Sequence, residues 1–127
     1  MMLPYPVANN RMYRHFRGRT ILSAEGRAYK DHVAWIAKTH KVKLIDGDVA
    51  VTMLFHPRQN KDGSASKVRQ DIGEISKGIF DALNGIAYHD DKQIVAMSTV
   101  IVDPVQDGGV SILIEKYEGG VWKLATK

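Results

Sequence analysis

The spacing of apolar positions divides the chain into two helices and a set of strands. Tyr29, Val33, Ile36, Ala37 and His40 recur at the spacing of one buried helix face. Ser23 suits an N-cap, so a helix is predicted over 24–40, with Arg27, Lys30 and Lys38 on its wetter face and Trp35 at the edge of the stripe. A second stripe, Ile72, Ile75, Ile79 and Leu83, starts behind Asp71 and stops at Asn84-Gly85. Val49, Val51, Met53 and Phe55 alternate with Ala50, Thr52, Leu54 and His56, which predicts a strand over 48–57 ended by Pro57. Residues 93–102 are mostly apolar and read as a strand internal to a sheet. Asp103-Pro104 ends it and Asp107-Gly108-Gly109 turns the chain. Residues 110–117 are therefore expected to pair antiparallel with 93–102 as a long hairpin. Leu3-Pro4-Tyr5-Pro6 is extended by its prolines and fits a short edge strand, while Trp122 and Leu124 end in a tail that docks or frays.

The predicted order is β, basic loop, α, β, loop, α, β, β. The fold class is α/β (α+β): one small domain over 1–127, with a mixed, largely antiparallel sheet and two main helices packed on it. A length of 127 residues with 44% hydrophobic content is enough to bury a core. Cysteine is absent, which excludes disulfides and thiolate metal sites. No apolar run approaches a membrane span and residues 1–11 show no signal-peptide core, so a cytoplasmic protein is expected. A net charge of +4 favours an anionic partner.

Charge sharpens two stretches. Residues 9–19, NNRMYRHFRGR, interleave arginines with Tyr13 and Phe16 between turn formers, as in a loop or hairpin tip. Guanidinium groups there can grip phosphates and rings can stack on exposed bases, or the loop is simply solvated. Residues 58–67 read as a polar loop that orders on DNA. The stretch Lys67–Asp91 carries the candidate chemistry: Asp71 at a helix start, Glu74, Lys77 and Asp81 along one side, and Asp90-Asp91 in the loop beyond. If that loop returns over the helix start, carboxylates and a lysine converge, and such a cluster can hold a divalent metal beside a phosphate. Asp71 with Glu74 also has capping-box spacing, and Glu74 with Lys77 fits a surface pair. The histidines have no zinc spacing, and no phosphate-cradling glycine loop or nucleophile elbow occurs.

Three blocks resemble the RusA family of Holliday-junction resolvases, common in phages and prophages. They are residues 6–15 with 17–20 and 23–26, residues 71–77 through 80–85, and residues 90–94. The resemblance implies a small homodimeric α/β endonuclease of DNA recombination and repair. It would act in a bacterial or phage-infected cell and cut four-way junctions with paired symmetric nicks, using Mg²⁺ or Mn²⁺. The family motif D-x-D-N-x-x-K followed by D-D places Asp71, Lys77 and Asp91 in catalysis. It implies a metal set of Asp71, Glu74, Asp90 and Asp91, with Asn10, Arg11, Arg14, Arg17, Arg19, Arg58, Lys67 and Arg69 on DNA. The chain departs in the middle, with Gly73-Glu74 where the family has Asp-Asn. Glu74 either substitutes for the missing acid or caps the helix. The alternatives are a junction-binding protein with impaired catalysis and a basic module without structure preference. Asp81, about two and a half turns beyond Asp71, is assigned a structural role.

Overall fold

The computed structural model describes residues 1–64, 66 and 72–119. The elements are β1 (Met2–Leu3), α1 (Asn9–Met12), β2 (Tyr13–Phe16), β3 (Arg19–Leu22), α2 (Ala24–Thr39), β4 (Val49–His56), α3 (Ile72–Ala82), β5 (Ile94–Ile101) and β6 (Gly109–Lys116). A 3₁₀ turn, Asp91–Gln93, leads into β5. The main sheet has the order β1-β6-β4-β5, and β2-β3 form a separate hairpin. The architecture is the expected α+β one, a mixed sheet with helices on one face.

Most elements form for the reasons the pattern gave. Ser23 caps α2 by accepting a hydrogen bond from the Gly26 N–H at 2.9 Å. Tyr29, Val33 and Ala37 are buried, Ile36 half-buried. The stripe ends sooner than expected: His40 is the C-cap and exposed, and Trp35 is 65% exposed, well off the stripe. Val49, Val51, Met53 and Phe55 face the helices and meet Ile75, Ile79 and Leu83 in one core. β1 is the expected edge strand, pairing antiparallel with β6.

Two strand expectations are overturned. β5 is not internal but the other edge, and it does not pair with β6. It runs parallel to β4, while β6 pairs antiparallel with the opposite side of β4. The cause lies in the two connections. α3 carries the chain back along β4, so β5 starts at the end where β4 starts, as in any β-α-β crossover. The link after β5 then stays bonded to the end of β4: Val102 N–H to Phe55 O at 2.9 Å, and Val105 N–H to Pro57 O at 3.0 Å. Riding over that end, it delivers β6 to the far side. β4 takes the centre because its positions 49–51 are wholly buried, whereas Val95, Met97 and Val100 of β5 are about half exposed.

Candidate active site

α3 presents a polar edge beside the hairpin. Lys77 and Asp81, one turn apart, form an ion pair with Nζ to Oδ2 at 2.9 Å. Tyr13, the first residue of β2, donates its hydroxyl to the same Asp81 oxygen. The Lys77 ammonium lies 4.8 Å from the centre of the Tyr13 ring, within cation–π range. Burial, then the bond to Asp81, raises the Tyr13 pKa, so the phenol keeps its proton and donates.

Met12 fixes Tyr13 in place. It is fully buried, and its side chain packs where a Cβ on Gly78 of α3 would be 3.5 Å away. Its carbonyl sits so near Gly26 of α2 that a Cβ there would come within 2.1 Å of the oxygen. Ser23 N–H also donates to that carbonyl at 3.0 Å. The single turn α1 therefore seats the base of the hairpin on both long helices.

The loop between α3 and β5 delivers Asp90 and Asp91. Tyr88 is fully buried and donates its hydroxyl to Phe80 O at 2.8 Å, tying the loop to α3. Gln93 holds the next turn: its Oε1 accepts from His89 N–H at 2.6 Å and Asp90 N–H at 3.0 Å, and its Nε2 donates to Ile45 O at 2.8 Å and Gly47 O at 2.7 Å. Asp90 Oδ1 accepts from Lys92 N–H at 2.9 Å. Asp91 then stands beside two other carboxylates, those of Asp90 and Asp81.

The charges follow from that geometry. Burial, the bond to Asp90 and the negative charge of Asp81 raise the Asp91 pKa. Asp81 is pushed up by burial, yet bonds from Tyr13 and Lys77 outweigh this and hold it below the usual carboxylate range. Asp90 is lowered by its bond from the Lys92 N–H and by the one with Asp91. Asp91 is thus harder to ionise than an isolated carboxyl, and a hard cation bound there would offset the repulsion among the three acids. Among the described residues, no three acidic or histidine side chains are arranged to enclose a metal ion. Hard oxygen donors from one or two carboxylates, with water and phosphate completing the shell, do suit Mg²⁺ or Mn²⁺.

The 9–19 stretch, expected as a loop or hairpin tip, is a hairpin preceded by a one-turn helix that its polar sequence did not signal. Arg17 (φ 50°) and Gly18 (φ 74°) make the turn, both left-handed as a two-residue hairpin of this twist requires. By strand alternation Tyr13, His15, Thr20 and Leu22 share one face and Arg14, Phe16, Arg19 and Ile21 the other. The first face borders a groove of about 620 Å³ lined by Asn9, Asn10, Tyr13, His15, Thr20 and Lys77.

The sequence-predicted residues are thus partly gathered. Lys77, Asp90 and Asp91 come together, and Asn10 lines the adjoining groove. Arg14, Arg17 and Arg19 lie on the hairpin and are exposed. Arg11 faces Glu25 at 3.9 Å. Arg58 stands elsewhere: it follows the C-terminal end of β4, over the Tyr5 ring at 3.8 Å, whereas Asp91 precedes the β5 residue paired with the other end. Lys67, Arg69 and Asp71 fall outside the described residues, as does the tail with Trp122 and Leu124. Glu74 belongs to α3 by its backbone. Asp81, expected to be structural, touches both Lys77 and Asp91. Its four-residue spacing from Lys77 was the available signal; for Tyr13, read only as a loop aromatic, there was none.

A basic hairpin beside a groove lined by a lysine, with that lysine paired to one of a cluster of carboxylates, is a site suited to phosphodiester chemistry. The profile of the family Endodeoxyribonuclease RusA matches residues 4–115. The chain is similar to Crossover junction endodeoxyribonuclease RusA of Escherichia coli O139:H28, 37% identical over 107 residues covering 84% of each chain. It is equally similar to the protein of that name in Escherichia coli K12 and in Enterobacteria phage 82, each 38% identical over 109 residues and 84% of each chain. The chain belongs to the RusA family.

Proposed function

We propose that the protein is a metal-dependent endodeoxyribonuclease that resolves four-way DNA junctions as a homodimer, inside a bacterial or phage-infected cell. The observation that carries the reading is Lys77, which lines a groove beneath a basic hairpin and is ion-paired to Asp81, itself beside Asp91, in a chain similar to crossover junction endodeoxyribonucleases. In this reading Asp71 and Asp91 hold Mg²⁺ or Mn²⁺, with Glu74 and Asp90 supplementing them. The bound metal would polarise the phosphodiester and acidify the attacking water. Lys77, still more than half exposed despite its ion pair, can turn its ammonium toward the phosphate and stabilise charge that develops there. Asp81 keeps that ammonium at the groove until the phosphate arrives. The arginines of the hairpin neutralise backbone, with Arg58, Lys67 and Arg69 extending the contact. Among the described residues no helix is long and apolar enough to cross a membrane.

The second copy is supported by the uncovered sheet face. Leu54, Val100 and Leu113 point away from the helices and are 36%, 47% and 52% exposed. Val100 is directly beside Leu54, and Leu113 is beside the neighbouring Thr52, so the three form one patch. Two subunits joined there would present two sites, as paired symmetric nicking needs.

The test is cleavage of a synthetic four-way junction in Mg²⁺ by the wild type beside Asp71→Asn. Paired nicks by the wild type alone are expected, and equal nicking by both would remove the proposed site. A second reading, junction binding with impaired catalysis, is favoured by one observation: position 73 of α3 is an exposed glycine where the family has an acid. It predicts tight, salt-sensitive binding without cutting. Gly73→Asp with Glu74→Asn separates the two, since a gain of cutting supports impairment and no change argues against it.

A further inference from the structure

The hairpin has a second face that the groove does not use, and it is built unlike a solvated loop. Phe16 is 49% exposed at the last strand position before the turn. Its ring lies under two guanidinium groups, Arg14 at 5.5 Å and Arg17 at 5.1 Å from the centroid. Arg19 is its cross-strand partner, and Phe16, Arg17, Arg19 and Ile21 line an open hollow of about 430 Å³. A tight two-residue turn limits how far the tip can bend. This exposed ring with a positive surround is separated from the Lys77 groove only by the thickness of the hairpin.

We propose that Phe16 is a base-stacking platform for the unstacked nucleobases at a DNA branch point, and that this contact sets the preference for branched over linear DNA. The inference rests on the DNA reading of the groove, which it deepens. With one strand along the Lys77 face, the hairpin acts as a partition and its other face meets whatever lies across it. In linear duplex every base is already stacked on its neighbours, so the ring has nothing to receive. At a four-way branch the terminal pairs of the arms can unstack, and a π-face is then available. Stacking on a base outweighs a cation–π contact made in open solvent. Arg14 and Arg17, exposed and long, can yield the ring and turn to the flanking phosphates. The same residues can therefore serve both states without rebuilding the backbone.

The experiment compares binding of a four-way junction and of a linear duplex by fluorescence anisotropy, at one salt concentration in EDTA so that no cutting occurs. Phe16→Ala is expected to weaken junction binding about tenfold and leave duplex binding unchanged. Phe16→Trp should retain the preference, and Phe16→Leu should lose it, because bulk without a π-face cannot stack. Arg19→Gln, a phosphate contact, should weaken both substrates alike. The proposal is overturned if Phe16→Ala leaves junction binding intact, or weakens both substrates equally, or if Phe16→Leu behaves as wild type. Absence of any junction preference in the wild type would instead remove the junction reading itself. Junction cutting by a Phe16→Ala variant with unaltered preference would leave the nuclease reading standing and remove this one alone.

Discussion

The molecule has two surfaces on opposite sides of its sheet's single helical layer, and they are made differently. On the hairpin side the exposed residues are cationic and aromatic, and the few carboxylates are gathered beside Lys77. On the bare side of the sheet the exposed residues are Leu54, Val100 and Leu113, with Ser98, Thr52 and Ser111 beside them in the ladder. The first surface keeps groups whose partners must be anionic and hydrated. The second is an apolar patch edged by hydroxyls, the kind of surface a protein partner covers. Neither difference reaches the core, which is continuous between them. Under the proposed function, contact with nucleic acid and contact with a second copy can therefore be altered separately.

Breaking the first surface should give the largest effects. Asp91→Asn is expected to lower junction cutting by more than roughly a hundredfold, as loss of a group that acts on the transition state does. It should also stabilise the metal-free protein at neutral pH. The sign follows from the raised pKa of Asp91: the folded chain favours its protonated form, so ionisation at higher pH costs stability that asparagine does not lose. The gain should fade as pH falls through that pKa, where the wild-type carboxyl is protonated too. Thermal melts of both proteins in EDTA across that range check it, and a gain that grew toward low pH would contradict the assignment.

Lys77→Ala comes next, with cutting down about a hundredfold and junction binding lowered far less. Gel-shift and single-turnover rates on the same junction separate the two. A loss of binding as large as the loss of rate would make Lys77 a DNA-grip residue instead.

The second surface is tested by Val100→Lys with Leu113→Lys. Light scattering should show a monomer, and junctions should be nicked singly where the wild type cuts in pairs. Retention of a dimer would place the interface elsewhere, the exposed edge of β5 being the next candidate. The smallest effect tests what the surfaces share. Gly26→Ala forces a Cβ against the Met12 carbonyl and should cost about 1–3 kcal/mol of stability, measured by urea unfolding. Junction binding should fall with it, because the seat of the hairpin is disturbed.

The helices and the central strand were legible because each buries one periodic face, and burial is written in single residues at fixed spacing. The order of strands was not. Ile94 through Ile101 is as apolar as a central strand, but Val95, Met97, Val100 and Ile101 remain exposed, so composition pointed inward while topology placed it at the edge. Pairing was decided by Val102 and Val105 bonding to the end of β4, contacts between backbone groups that no side-chain pattern reports. The site was half legible. Lys77, Asp90 and Asp91 stood out by residue type and motif, whereas Asp81 looked remote because distance was counted along the helix from Asp71. Asp81 is brought in by the loop that returns from the far end of α3, and Tyr13 by a hairpin joined to the site only through α1 and Met12.

Gln93 has a consequence of its own. One side-chain amide satisfies four main-chain groups, two in its own turn and two in the segment before β4. With Tyr88 anchored behind it, the stretch from Leu83 to Gln93 is measured at both ends. An inserted or deleted residue there could not be absorbed as slack, as surface loops usually allow, and would carry Asp91 out of reach of Asp81. Variation in length among functional descendants of this chain should therefore collect elsewhere, in connections with no such double anchor.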